Sequence, residues 1–478
     1  MSEAGIRSSG HADNHACGNS AHPGGGAAPA LAAAAAAPDW DDLTPLGRLE
    51  MLCDPGSVQV IRSAVRSNRL GTKPSDGEGV AGASGAIAGR PIFCYAEDGR
   101  FAGGSLGPAD ASTILRILEL AGKARAPVVG FVDCAGARLQ EGAAALGAYA
   151  RVFRSKVRLS GKVPQISIVT GSPPAGGCQS PALADFTLMT RSTSMFLAGP
   201  PAVRAMPGAQ APAFDLGGGA RYSGCQFVVD SDLDAVVLAR MLLSYLPQNA
   251  WERPVETDPA PPAAGNPGEV VPRVASRVYE VREVARRIVD GGSLLEVSQR
   301  RARNMVTAFA RLGGMSVGVV ANQPRHLAGI IDGAASEKAA GFVATCNAYG
   351  IPLVVLVDTP GFMPGTKHEP AEFIRRGATL MSAFIEAEVP KLTVVLRHGY
   401  GGGFIAMNCR ELGADLAFAW PRARIDYALE HEAARAAARD GVIDELVSPS
   451  ETRARLIAAL EALRAKRVDD GREETIPP

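Results

Sequence analysis

Neither sign of charge is in excess in this 478-residue chain, because 49 lysines and arginines offset 49 aspartates and glutamates. A zero balance argues against a nucleic-acid binder and against a polybasic membrane surface, both of which need cationic excess. Long hydrophobic runs are missing too; the longest apolar stretches are of strand length and interrupted, so no membrane span is expected. The eight cysteines (Cys17, Cys53, Cys94, Cys134, Cys178, Cys225, Cys346, Cys409) form no Cys-x-x-Cys and no Cys/His cluster at ligand spacing, which excludes a recognisable metal site. They read as free thiols in a reducing compartment. The N-terminus lacks the charged start and compact apolar region of a secretory signal, so the expected location is cytoplasmic. No histidine sits in a recognisable Ser or Cys triad context.

What is present is soluble and globular in balance, 46% hydrophobic and 21% charged, and too long for one ordinary core. Residues 1–39 are Gly, Ala, Ser, His and Pro with few large apolar side chains, and are read as a disordered leader. A domain is expected over 40–255, a Pro/Ala/Gly-rich linker over 256–272, a second domain over 273–468 and a tail over 469–478.

The second domain repeats the first in order. Asp54-Pro-Gly-Ser returns as Asp290-Gly-Gly-Ser, and Ala126-Pro-Val-Val-Gly-Phe-Val-Asp133 as Ile351-Pro-Leu-Val-Val-Leu-Val-Asp358. Val163-Pro, an apolar run and the pair Gly176-Gly177 return as Val389-Pro, an apolar run and Gly402-Gly403. Two copies of one α/β domain account for this better than coincidental loops. A β-branched run of that length reads as a buried strand, and the glycine turn after it lets backbone approach a ligand unobstructed. If a helix opens there, its free N–H groups and positive dipole end suit a developing oxyanion.

Eleven short stretches, in order, resemble the carboxyltransferase β-subunit of biotin-dependent acyl-CoA carboxylases, the propionyl-CoA and acetyl-CoA carboxylase group. They include Gly103-Gly-Ser-Leu-Gly, Gly136-Ala-Arg-Leu-Gln-Glu-Gly, Ala175-Gly-Gly, Ser336-Glu-Lys-Ala-Ala, Val357-Asp-Thr-Pro-Gly-Phe-Met-Pro-Gly-Thr, Tyr400-Gly-Gly and Ala419-Trp-Pro. The resemblance spans about Leu43 to Thr452. It implies two tandem crotonase-like ββα-superhelix domains, assembled as a dimer or a trimer of dimers. Its substrates would be an acyl-CoA and carboxybiotin on a separate carrier protein, with no metal. The chain contains no Met-Lys-Met biotinylation site, so the biotin carrier and biotin carboxylase would be partner subunits.

By the same resemblance, Gly176 and Gly177 would hold the thioester oxygen and Gly402 and Gly403 the biotin ureido oxygen. Gly136, Ala137, Ala175, Tyr400, Phe404 and Ile405 would line the substrates; for Ile405 a plain core isoleucine is an equal reading. Arg138 and Glu141 are read as architectural residues at a helix start, Lys338 as a surface lysine, Asn322 as a turn residue, and Cys134 and Cys178 as small apolar fillers. The sequence departs from the family after Trp420-Pro421, where the segment is short, and at Arg397-His398 in place of Arg-Lys. These departures keep two alternatives open: a malonyl-type thioester decarboxylase and a non-catalytic scaffold subunit.

Overall fold

The computed structural model describes residues 43–67, 79–173, 176–198, 203–205, 225–364, 371–426 and 434–466. The expected leader and tail fall outside these ranges. Described strands of the N-terminal half are β1 (Gln59–Ile61), β2 (Val80–Ile87), β3 (Arg90–Glu97), β4 (Ser105–Leu106), β5 (Val128–Val132), β6 (Gly136–Ala137), β7 (Gln165–Val169), β8 (Phe186–Thr190) and β9 (Phe227–Val229). The C-terminal half adds β10 (Leu295–Val297), β11 (Met305–Leu312), β12 (Met315–Asn322), β13 (Leu353–Thr359), β14 (Lys391–Tyr400), β15 (Leu416–Ala419), β16 (Arg424–Asp426) and β17 (Glu445–Leu446).

The repeat seen in sequence is a repeat of topology. One sheet runs β1-β2-β3-β5-β7-β8-β9 and the other β10-β11-β12-β13-β14-β15-β17. Each begins with an antiparallel hairpin and continues with parallel strands joined through helices. Strands β5, β7, β8 and β13 are buried at every residue, as parallel strands covered on both faces must be.

The Asp-x-Gly-Ser repeat has a physical reason. The β2–β3 turn passes through Ala88 and Gly89, both at positive φ, and the β11–β12 turn through Gly313 and Gly314, also positive. Such turns match the twist of a hairpin but leave their amides unpaired. The carboxylate of Asp54 accepts from Ala88 N at 3.0 Å and Gly89 N at 2.8 Å. Asp290 does the same for Gly313 N at 2.9 Å and Gly314 N at 2.8 Å. The serine three residues on accepts the next free strand amide: Ala86 N to Ser57 Oγ, and Arg311 N to Ser293 Oγ. Burial opposes ionisation of both aspartates, but the turn amides and Arg240 or Arg453 outweigh it and hold both carboxyls below the usual range.

The halves share a core. Phe309 of β11 packs edge-on to Phe186 of β8 at 5.9 Å and stacks on Tyr245 at 6.1 Å. The Tyr349 hydroxyl donates to the half-buried Asp185 at 2.6 Å and lies 3.0 Å from Val163 O. Burying each such aromatic contributes about 2 kcal/mol. The Pro-rich segment after Glu256 is tied to the C-terminal half, with Thr257 N donating to Gly314 O and Ala263 N to Arg286 O.

Candidate active site

Strand β7 delivers the chain to helix Gly176–Ala182, so the first glycine pair lies in the opening turn, where amides lack intrahelical partners. The two glycines differ. A Cβ on Gly176 would make ordinary contact with the Tyr149 ring at 3.7 Å. On Gly177 it would lie 2.7 Å from Cys134 Sγ, closer than real contacts allow, and a tight 3.1 Å from Pro173 Cβ. Glycine at 177 is therefore required by the approach of the loop after β5. The helix also packs on β6, whose Gly136 is buried at φ 102° and whose Ala137 is half-buried. Ala175 lies outside the described residues.

Strand β14 builds the second turn the same way. Tyr400 caps helix Gly401–Ala406 through its backbone, placing Gly402 and Gly403 in the first turn. A Cβ on Gly402 would rest 3.6 Å from the Phe362 ring, whereas on Gly403 it would lie 2.6 Å from the Cα of Gly361. The second glycine of each pair is thus pressed against the loop following the preceding parallel strand, β5 or β13. No residue named in these contacts is common to the two turns. Phe404 is buried, but Ile405 is 44% exposed, which rules out the core reading for it.

The lysine that the sequence reading placed at the surface is inside. Lys338 is buried and its Nζ donates to Met305 O at 2.7 Å and Arg301 O at 3.0 Å; burial pushes it down to about 8. Asn322 is fully buried, its Oδ1 accepting from Asp358 N at 3.2 Å. Arg138 is fully buried, bonded to Asp110 at 2.6 Å and Glu141 at 2.9 Å. It staples two segments together, an architectural role. Cys134 and Cys178 are buried, with thiols pushed up by desolvation, which matches their reading as fillers.

Two further groups had escaped sequence reasoning. Glu97, at the end of β3, is buried and accepts from Asp133 N at 3.0 Å; desolvation raises it to about 7 despite that bond. Lys156 is buried beside it and donates to Ser180 O, in the helix carrying the first glycine pair, at 2.9 Å. Desolvation lowers it to about 8, against the attraction of Glu97. Behind the second turn, the Asp358 carboxylate is shared by Arg397 Nε at 3.0 Å, His398 N at 3.1 Å and His398 Nδ1 at 2.9 Å. Among the described residues no group of three or more His, Cys, Asp or Glu could hold a metal, and no helix is long and apolar enough to cross a membrane.

A carboxyl transferase domain model matches residues 41–434. The methylmalonyl-CoA carboxyltransferase 12S subunit of Propionibacterium freudenreichii subsp. shermanii is 38% identical over 463 residues, covering 88% of both chains. The methylmalonyl-CoA decarboxylase subunit alpha of Veillonella parvula is 37% identical over 427 residues, covering 83% of this chain and 84% of the relative. Among solved structures, a hexameric transcarboxylase 12S with hydrolysed methylmalonyl-coenzyme A bound aligns with a TM-score of 0.85 at 39% identity, over 89% of this chain and 90% of that one.

Proposed function

Because the chain belongs to the carboxyl transferase domain family, we propose that it transfers a carboxyl group between biotin and the α-carbon of a short acyl-CoA. Carboxybiotin, presented by a separate carrier protein, supplies the carboxyl group. The observation that carries the reading is the doubled device of buried strand, tight glycine turn and first helical turn, present once in each half. An acyl thioester that loses its α-proton places negative charge on its carbonyl oxygen. Fixed amide donors aimed at such an oxygen contribute on the order of 3 kcal/mol each.

In this reading the N–H groups of Gly176 and Gly177 hold the thioester oxygen, with Gly136, Ala137 and Ala175 alongside. Gly402 and Gly403 hold the biotin carbonyl, with Tyr400, Phe404 and the exposed Ile405 around it. Gly402 has no side chain, and among the described residues a Cβ there would meet the Phe362 ring, which supports seating a planar amide-like group at this turn. The N-terminal half, 40–255, is then the acyl-CoA side, and 273–468 the biotin side, joined through 256–272. The hexamer assembly of the similar 12S structure supports a homo-oligomer, which we take to be a dimer or a trimer of dimers, and the likeness to a biotin-dependent carboxylase subunit supports a biotin carboxylase and carrier as partners. We place the chain in the cytoplasm, a reading supported by the seven described cysteines being in no disulfide among the described residues.

Purified chain, carboxylated biotin carrier and propionyl-CoA should yield methylmalonyl-CoA; absence of product from acetyl-, propionyl- and longer acyl-CoA alike would overturn the proposal. The likeness to a decarboxylase subunit supports a second reading, release of CO2 from a malonyl-type thioester. Biotin-independent CO2 release from malonyl- or methylmalonyl-CoA would favour it.

A further inference from the structure

A cavity of about 830 Å³ opens beside β14, a few residues before the second glycine turn. Its lining combines a rigid apolar wall with an excess of cations. Trp420 is buried, its indole N–H bonded to Thr452 Oγ1 at 2.9 Å, and Leu396 and Pro449 extend that wall. Arg273, Arg397, Arg422 and Arg424 also line it. Arg397 is neutralised by Asp358 at 3.0 Å. The acidic lining residue, Glu269, lies 3.5 Å from Arg287. Arg273, Arg422 and Arg424 are exposed and make no ion pair among the described residues. Three uncompensated guanidinium groups around one cavity are conspicuous in a chain whose net charge is zero.

We propose that this cavity binds a phosphorylated small molecule of nucleotide size. Like charges held close together repel, and an anion that bridges them relieves that repulsion while gaining charge-assisted bonds. Guanidinium forks match phosphate oxygens in pairs, which a lysine cluster would not do. The volume lies in the range of small-molecule sites, and Leu396, Trp420 and Pro449 give it an apolar wall. Strand pairing opposite His398 fixes the backbone at Arg424, so its side chain starts from a set position at the cavity. The proposal does not depend on the assignment of either glycine turn.

Isothermal titration of the full chain with inorganic pyrophosphate, ADP and adenosine tests it. Pyrophosphate and ADP should bind once per chain, more weakly as salt rises, and adenosine should not bind detectably. In an Arg422→Ala/Arg424→Ala double variant, both positions being exposed, affinity for both anions should fall about ten- to a hundredfold with the melting temperature unchanged. An Arg273→Ala variant should weaken them in the same direction. Failure of wild-type protein to bind either anion would overturn the proposal. So would undiminished binding in the double variant, adenosine binding as tightly as ADP, or complete displacement of ADP by saturating propionyl-CoA, which would place ADP in the substrate site. An acidic protein partner that binds this face while neither small anion does would also refute it.

Discussion

Substituting alanine at Gly177 separates the reason for glycine from the reason for the turn. The added methyl would sit 2.7 Å from Cys134 Sγ and 3.1 Å from Pro173 Cβ, where optimal separation is about 3.5–4.0 Å. Overpacking of this kind costs about 1–3 kcal/mol, since either the helix opening or the Cys134 loop must shift. If the helix yields, the Gly177 amide moves off the thioester oxygen. Losing one such donor costs on the order of 3 kcal/mol, or a hundredfold in kcat. Gly176→Ala is the internal control, because its methyl meets the Tyr149 ring at an unstrained 3.7 Å. Adding Cys134→Ala to Gly177→Ala removes the clashing sulfur and should restore both the melting temperature and most of the turnover. Carboxyl transfer to propionyl-CoA and thermal melts on all four proteins form the assay. If Gly177→Ala were as stable and active as Gly176→Ala, the required close approach and the oxyanion role would both be wrong.

Glu97→Gln tests the buried pair behind that turn. Burial raises the Glu97 carboxyl from its ordinary 4.5 to about 7, so the stability linked to its neutral form is full below about pH 4.5 and is lost as pH rises through 7. The glutamine variant keeps an acceptor for Asp133 N and should flatten that fall in urea melts between pH 5 and 8; an unchanged pH slope would show that Glu97 does not titrate there. Arg138→Ala strands the carboxylates of Asp110 and Glu141 in a site where all three side chains are almost fully enclosed. It should cost about 3–5 kcal/mol of stability by denaturant melts, and a loss under about 1 kcal/mol would contradict a stapling role.

The duplication was legible because both halves reuse the same local chemistry. Asp54 and Asp290 each satisfy two hairpin amides, and Gly177 and Gly403 each admit a loop that a methyl would block. Such constraints act over a few residues and leave a motif in the chain. The buried charges were not read because their partners lie far away in sequence, as with Lys156 and Ser180 or Asp358 and His398. A signal existed for the lysines. Lys156 continues the buried stripe Ala145, Ala148, Tyr149, Val152, and Lys338 sits within Ala335, Ala339, Phe342 at the same helical spacing. A lysine on an apolar stripe points inward, and its head must then find carbonyl oxygens. The exposure of Ile405, one residue beyond buried Phe404, follows from the helix turning its next position outward.

The most direct test follows labelled carboxyl from carboxylated biotin carrier protein. With this chain and propionyl-CoA, the label should appear in methylmalonyl-CoA, and omission of the carrier should abolish it. Label released only as CO2, or product formed equally well without biotin, would contradict a carboxyltransferase.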